Sequence, residues 1–417
     1  MTTLVGISSR AVSVSRRGGG AATWLHAISH LDPKYGGLSA AVPALGSAVS
    51  TGGQFSVALA GFCLDGERYR PSVAPGMNVH HFPIGYRGWW RDRVSRQTFR
   101  DLVRESAGLH VHGLWQLSTY AAARAAQSES KPYIVSAHGM LESWALANKR
   151  LKKTAYAWLF ERANLRSAAC LHALTRAEAR DYRNFGLRNP IAVIPNGVDV
   201  PSVSSPEVFL NRFPELRGKR LVLFLGRIHF KKGLDVLCEA WTRVSRDWPD
   251  AQLVLAGPDF ENTRKSIEML LEERQIRSRV TFTGMLANDL KWSAFRAAEC
   301  FVLPSYSEGL SVSVLEAMGM GVPVIVSEQC NLPEVAQHNC GWVIQPRAPR
   351  GNELEAALDD VLRASSQTRA RLGANGRRLV SQRYSWRVVG EQMSALYAWA
   401  QGGGFPTAFD MELGAIA

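Results

Sequence analysis

The sequence predicts an α/β protein built from two Rossmann-like domains in tandem, each a doubly wound parallel sheet. Short apolar runs alternate with longer helical patterns along most of the chain, which is the rhythm of parallel strands joined by crossover helices. The alternation stops at a Pro/Ser/Glu-rich stretch, 201–218, and then restarts. A chain of 417 residues also exceeds what one ordinary hydrophobic core serves.

The first series of candidate strands is TWLHAIS (23–29), FSVALAG (55–61), LHVHG (109–113), YIVSAH (133–138), CLHALT (170–175) and IAVIPNG (191–197). The second is RLVLFLG (220–226), AQLVLAG (251–257), VTFTG (280–284), CFVLPS (300–305) and VPVIVS (322–327), with helical patterns such as 234–245 and 263–274 between them. Residues 1–20 and 402–417 read as tails, which leaves a first domain over 21–200 and a second over 201–383. The start, SRRGGGAATWLHAISHLDP, faintly resembles a twin-arginine signal, but its apolar part is short and leads straight into domain sequence; a cytoplasmic protein is expected.

Composition narrows the function classes. Apolar residues make up 46% and charged residues 20%, which describes a globular chain rather than a disordered one. No run reaches the roughly 18 apolar residues that a spanning helix requires. The six cysteines form no C-x-x-C pair and no zinc-type cluster with histidine, as expected of scattered thiols in a reducing compartment. The net charge of +13 is uneven: residues 1–200 carry 24 Lys/Arg against 12 Asp/Glu, and the remainder 25 against 24. A basic first half suggests an anionic partner, such as a phosphorylated substrate, an acidic membrane or nucleic acid, or simply a soluble basic surface.

In open α/β sheets, ligands lie beyond the C-terminal ends of the strands. In FLGRIHFKKGLD (224–235) a strand ends at Gly226, Arg227 follows, and Lys232-Gly233 opens a helix. An Arg fork, a Lys charge and a helix N-terminus aimed at one point suit a diphosphate; ordinary surface basic residues at a β–α turn are the alternative. After CFVLPS comes Tyr306-Ser307-Glu308-Gly309-Leu310-Ser311 and then a helix. Gly309 lets a ligand approach the backbone, and the first N–H groups of that helix form a second anion cradle. With a helix start near Leu310, Glu316 lies about 9 Å farther along. A carboxylate in that apolar, small-residue segment can accept the vicinal diol of a ribose, pair with a nearby Arg, or reach solvent. His110 and His112 share one strand face and offer two metal ligands, with no third evident. No D-x-D triplet occurs.

Together, E-x7-E after a P-S-x-x-E-G strand end (304–316) and GR-x4-KG (226–233) resemble the family 4 (group 1) retaining glycosyltransferases of the GT-B fold. The resemblance extends to ISHLDPKYGGLSAAV (28–42), AVIPNGVD (192–199), VTFTG (280–284), GVPVIVSEQCNLPEV (321–335) and RYSWRVVGEQMSALY (383–397). It implies two domains facing a central crevice, with closing helices at about 384–401 crossing back onto the first. It implies that Arg227 and Lys232 bind the donor diphosphate and that Glu308 contacts the sugar with the N–H groups of Gly309 and Leu310, beside Ser311. Glu316 would hold the ribose, and the loop at Gly284 and Met285 the base. Gly36 and Gly37 would line the phosphate and acceptor crevice. Of the two His-Gly strand ends, His138 is expected to reach the donor sugar, with His112 second. The family uses no cofactor and no metal; the nucleotide-diphosphate sugar is itself a substrate. HGMLESWAL (138–146) is similar to bacterial members that build cell-surface polysaccharides, which implies a saccharide or lipid-linked acceptor.

Two other classes compete. A nucleic-acid-binding protein accounts for the basic half but leaves Arg227, Lys232, Glu308 and Glu316 without purpose, and no helix-turn-helix, zinc finger or RNP-type pattern occurs; no nucleic-acid partner is expected. A soluble synthase or an epimerase acting on nucleotide sugars shares the fold. The segments 85–100 and 148–166 interleave basic and aromatic residues, among them Lys149, Arg150, Lys152, Lys153, Trp144, Tyr156, Trp158 and Phe160. That pattern suits peripheral attachment to the inner membrane face, or a solvated helix with a buried aromatic face.

Two expectations follow. Donor hydrolysis survives EDTA; loss on chelation with rescue by manganese would reveal a metal site. The protein pellets with anionic vesicles at low salt and washes off at high salt, at about 1 kcal/mol per basic residue near the surface, and Lys149, Arg150, Lys152 and Lys153 reversed to Glu weaken that binding but spare hydrolysis of a soluble donor.

Overall fold

A computed structural model describes residues 21–32, 34, 36–63, 69–85, 92–142, 146, 156–202, 205–345 and 353–412. The N-terminal tail, Trp144 and Lys149, Arg150, Lys152 and Lys153 lie outside them. The first series of strands is β1 (Ala22–Ile28), β2 (Phe55–Cys63), β3 (Asn78–Pro83), β4 (Gly108–His112), β5 (Tyr133–Ser136), β6 (Cys170–Ala173) and β7 (Ile191–Val193). The second is β8 (Arg220–Leu225), β9 (Ala251–Ala256), β10 (Val280–Gly284), β11 (Ala298–Leu303), β12 (Val324–Ser327) and β13 (Gly341–Ile344). A last strand, β14 (Asp410–Glu412), lies near the end of the chain.

The strands form two sheets, ordered β14-β7-β6-β5-β4-β1-β2-β3 and β10-β9-β8-β11-β12-β13. Every pairing is parallel except β14 on β7. Each sheet therefore reverses its order once, between β1 and β4 and between β8 and β11. These reversals are the switch points at which the two neighbouring loops diverge and leave a crevice.

The helices that frame the crevices are α1 (Leu38–Thr51), α2 (Arg176–Asn184), α3 (Leu234–Asp247), α4 (Asn288–Ala297), α5 (Val312–Gly319) and α6 (Trp386–Ala400). The second sheet has one continuous core around Phe224, Trp241, Phe295 and Phe301. The first sheet has a core on each face. α6 supplies Val389, Met393, Leu396 and Tyr397 to one of them, beside Trp24 and Ile28. The chain crosses back there: Val198 bridges Ser385, and the Tyr397 ring stacks on Trp24 at 4.0 Å and 8°.

Three strands escape the sequence reading. β3 carries His80 and His81 and is only half buried, so its apolar signal is weak. β13 has four residues and, unlike the fully buried four-residue strands β5, β6 and β12, is mostly half-buried. The segment 402–417, expected as a tail, contributes β14, whose pairing with Ile191–Val193 caps an edge that would otherwise expose free N–H and C=O groups. All six cysteines are free thiols. Among the described residues no helix is long and apolar enough to cross a membrane.

α6 lies close on α1. A Cβ added at Gly390 would stand 2.7 Å from the Ala48 carbonyl oxygen. Gly390→Val is expected to destabilise the protein by about 1–3 kcal/mol through overpacking, read as a lowered thermal midpoint; an unchanged midpoint would show that the crossing helix is not closely docked.

Candidate active site

At the second switch point the β8 strand end and the β11 strand end meet. After β8, Arg227 is exposed and its guanidinium lies 5.2 Å from the Phe260 ring centre. A short 3-10 turn, Phe230–Lys232, leads through Gly233 into α3. Gly233 has φ +67, and a Cβ there would stand 2.1 Å from the Pro304 carbonyl oxygen. Only glycine lets this turn lie against the end of β11, which brings Lys232 to Glu308.

Lys232 Nζ lies 2.5 Å from Glu308 Oε1, and Ser305 Oγ donates to the same oxygen at 2.6 Å. The loop that holds Glu308 is pinned from behind, since Asn331 Nδ2 donates to the Glu308 carbonyl at 2.6 Å and the Glu308 N–H donates to the Gln329 carbonyl. With this pinning the helix begins at Val312, not near Leu310, and Ser311 is its N-cap residue.

The first domain closes the other side. His138, Gly139, Glu142, Arg227, His229, Lys231, Lys232, Ser307, Glu308 and Gly309 line a cavity of about 230 Å³. Ser307 Oγ donates to Glu142 Oε2 at 2.8 Å across the gap. Gly139 N–H is held by Glu178 Oε1 at 2.7 Å, and Glu178 also accepts from the Leu174 N–H. Burial pushes the Glu178 carboxyl up to about 7. His138 has φ +53, an uncommon conformation for a non-glycine residue, and burial pushes its pKa down to about 3. Burial also lowers His229, so neither ring adds charge at neutral pH. The cavity then holds three cationic side chains against two carboxylates.

Of the predicted residues, the structure brings His138, Arg227, Lys232, Glu308 and Gly309 together around this cavity. Leu310 lines a larger cleft of about 630 Å³ that also takes in Arg180, Asn331 and Arg383. Gly284 ends β10 and Met285 follows it, 71% exposed. Gly36 and Gly37 lead into α1, and a Cβ at either would meet nothing within 4 Å. None of these four lines the 230 Å³ cavity.

His112 does not reach the crevice. It is fully buried, and its ring nitrogens face His138 Nε2 at 3.1 Å and His26 Nδ1 at 3.2 Å. It stands behind His138, because His112 is level with Ser136 at the end of β5 and His138 lies two residues farther along. The third histidine that the sequence reading lacked is His26, on the adjacent β1. One nitrogen of each of His26, His110 and His112 lies within 4.8 Å of the others, although both nitrogens of every ring are already hydrogen-bonded.

Glu316 finds a protein partner. Lys291 Nζ, from α4, lies 2.8 Å from its Oε1, so a lysine takes the place expected for an arginine or a ligand diol. Burial raises the Glu316 pKa, and Lys291 opposes the rise. Glu142, Lys231, His229 and Lys291 are absent from the sequence reading. Lys231 adjoins Lys232 and was legible; Glu142 and Lys291 become visible only once the domains and α4 are placed.

Comparison with known proteins agrees with this geometry. Residues 209–379 match the family model for glycosyl transferases group 1. Residues 36–197 match the glycosyl transferase 4-like domain. The chain belongs to the group 1 glycosyltransferases. It is 30% identical over 185 residues to alpha-D-kanosaminyltransferase of Streptomyces kanamyceticus, covering 44% of this chain and 46% of that one, so the match spans less than half of that relative. D-inositol 3-phosphate glycosyltransferase of Xylanimonas cellulosilytica is 28% identical over 353 residues, 79% of this chain and 83% of its own. GDP-mannose:cellobiosyl-diphosphopolyprenol alpha-mannosyltransferase of Xanthomonas campestris is 26% identical over 319 residues, 76% and 80%. The solved sucrose-phosphate synthase of Thermosynechococcus elongatus superimposes with a TM-score of 0.72 at 21% identity, over 91% of this chain and 98% of that one, a likeness of the two-domain GT-B fold.

The Glu316–Lys291 pair gives a pH signature. Glu316 has a folded pKa above its unfolded value, so its contribution to stability is greatest at low pH and falls as pH rises through the folded pKa. Lys291→Ala leaves the carboxylate unpaired and is expected to cost about 1–3 kcal/mol. The cost should be larger at pH 8 than at pH 4, which lies below the raised pKa and where protonation removes the charge. Denaturant midpoints at the two pH values check this, and an equal loss at both would remove Glu316 as the cause.

Proposed function

We propose that the protein is a retaining, metal-independent glycosyltransferase. It moves a sugar from a nucleotide-diphosphate donor to a hydroxyl of a saccharide or lipid-linked acceptor. The observation that carries this reading is the meeting of Arg227, Lys232 and the start of α3 with Glu308, opposite His138, in one crevice between two doubly wound domains.

Arg227, Lys232 and the helix dipole offset charge that grows on the leaving diphosphate. Because these donors are held before the reaction, little reorganisation accompanies it. Glu308 is already bound to Lys232, so a donor sugar meets a carboxylate with a fixed orientation and a lone pair to spare. The leaving phosphate itself takes the acceptor proton, consistent with a cavity whose histidines are neutral. Glu316, paired with Lys291, would take the ribose end of the nucleotide. The alpha-mannosyltransferase relative, named for a diphosphopolyprenol acceptor, supports a role in cell-surface polysaccharide synthesis at the inner membrane face.

Turnover of a panel of nucleotide sugars tests the reading, and failure to hydrolyse or transfer from any of them would overturn it. Arg227→Ala and Lys232→Ala should each raise the barrier by roughly 2–4 kcal/mol, as lost oxyanion-type donors do; near-normal turnover in both would remove them from the site. Glu316→Gln should weaken nucleotide binding more than it slows chemistry, because a ribose contact changes little between ground and transition states. Glu308→Gln should do the reverse, and KM and kcat measured for both variants separate the two roles.

A further inference from the structure

One face of the first sheet, covered by α6, carries an unbroken chain of hydrogen bonds that ends at His138. Its members come from five strands or strand ends and one helix, and all but His138 are buried. The far end has a chemically fixed direction. His172 Nε2 lies 2.8 Å from the Ile194 carbonyl oxygen, and a carbonyl can only accept, so Nε2 carries a hydrogen. Burial lowers the pKa of His26, His110, His112, His138 and His172 alike, so each ring is neutral and carries one hydrogen only.

From that end each link leaves one choice for the next. His172 Nδ1 is bare and accepts from the Ser136 hydroxyl at 2.6 Å. The hydroxyl has no second hydrogen, so Ser136 Oγ accepts from His110 Nε2 at 2.7 Å. His110 Nδ1 is then bare and accepts from the Tyr397 hydroxyl at 2.8 Å. Tyr397 in turn accepts from His26 Nε2 at 2.7 Å. His26 Nδ1 accepts from His112 Nε2 at 3.2 Å, and His112 Nδ1 accepts from His138 Nε2 at 3.1 Å. Reversing any link would require a second hydrogen on a hydroxyl or a ring, or a donating carbonyl.

We infer that this chain holds His138 as the Nε2–H tautomer, so that the bare Nδ1 is the ring nitrogen it offers to the donor cavity, as a hydrogen-bond acceptor for a sugar hydroxyl. Ser136 and Tyr397 are positioning residues: they act through the chain and do not touch the cavity. Tyr397 belongs to the helix that crosses back from the second domain, so docking of that helix is coupled to the protonation pattern of the site. The role toward a sugar rests on the proposed function; the tautomer does not.

The test uses the full chain labelled with nitrogen-15 in its histidine rings, with His138 assigned by the signal lost in His138→Gln. Two-bond proton–nitrogen correlations at pH 7 should show a bare Nδ1 and a protonated Nε2 for all five rings. Tyr397→Phe takes the donor from His110 and the acceptor from His26. It should let both His138 tautomers coexist and lower kcat for donor hydrolysis by about three- to tenfold, the size of one neutral hydrogen bond, with KM for the donor unchanged. Ser136→Ala cuts the chain elsewhere and should act in the same direction, which keeps the test open if Tyr397→Phe does not fold. A protonated Nδ1 on His138 in the wild type overturns the inference. So does stoichiometric zinc bound at His26, His110 and His112, or a Tyr397→Phe spectrum with every tautomer unmoved. A wild-type spectrum as expected from a protein that turns over no nucleotide sugar supports the chain and overturns the reading of the site instead.

Discussion

Strand polarity is the constraint on which everything else here depends. Thirteen of the fourteen strands run parallel within their sheets, so the strand ends that carry Arg227, Glu308 and His138 point into a shared space. Parallel strands need crossover connections, and the order reversal at β1/β4 and β8/β11 sends neighbouring crossovers to opposite faces. The gap left at each reversal is where a side chain can stand without being covered by its own domain. The Ser307–Glu142 hydrogen bond spans the two gaps and turns them into one cavity.

Charge within that cavity is balanced closely. Lys232 and Glu308 satisfy each other, which avoids leaving an unpaired charge at a mostly buried position. Arg227 lies against an aromatic face, and no carboxylate pairs with it among the described residues. It is therefore a cation that could meet an anion without first breaking an ion pair. On the proposed function, a diphosphate would share Lys232 with Glu308, which keeps lone pairs for sugar hydroxyls. Glu316 is likewise buried beside a lysine, Lys291, that supplies its opposite charge.

Behind His138 the protein uses polar groups as core. Five histidines, a serine and a tyrosine occupy a sheet face where aliphatic side chains would ordinarily pack. The arrangement is tolerable because every buried nitrogen and hydroxyl has a partner. Its cost is sensitivity: the removal of one hydroxyl leaves two groups unpaired. Its consequence is that the His138 ring at the cavity is oriented by a helix that begins in the other domain's territory, with the Trp24–Tyr397 stack holding the hydroxyl in place.

Periodicity and strand-end chemistry were enough to read the two-domain plan, most of the strands, and the cluster of Arg227, Lys232, Glu308 and Gly309, because these depend on neighbours within a few positions. The ordered motifs carried the family as well. Other features depend on pairings that no local pattern records. β14 was hidden because its partner lies more than two hundred positions earlier. His112 stood second to His138 as a candidate, since both precede glycine at a strand end; only sheet register shows that one ring stands behind the other. Glu316 raised the right question, but its partner Lys291 is brought to it by the packing of α4 beside α5. The third histidine beside His110 and His112 sits on β1, which is distant in sequence and adjacent in the sheet. The sequence by itself determined which residue types stand at which strand ends. The order of the strands in the sheets, and the docking of α6 across them, decided which of those residues touch, because hydrogen bonds and ion pairs act over a few ångströms and only the folded sheet brings such residues that close.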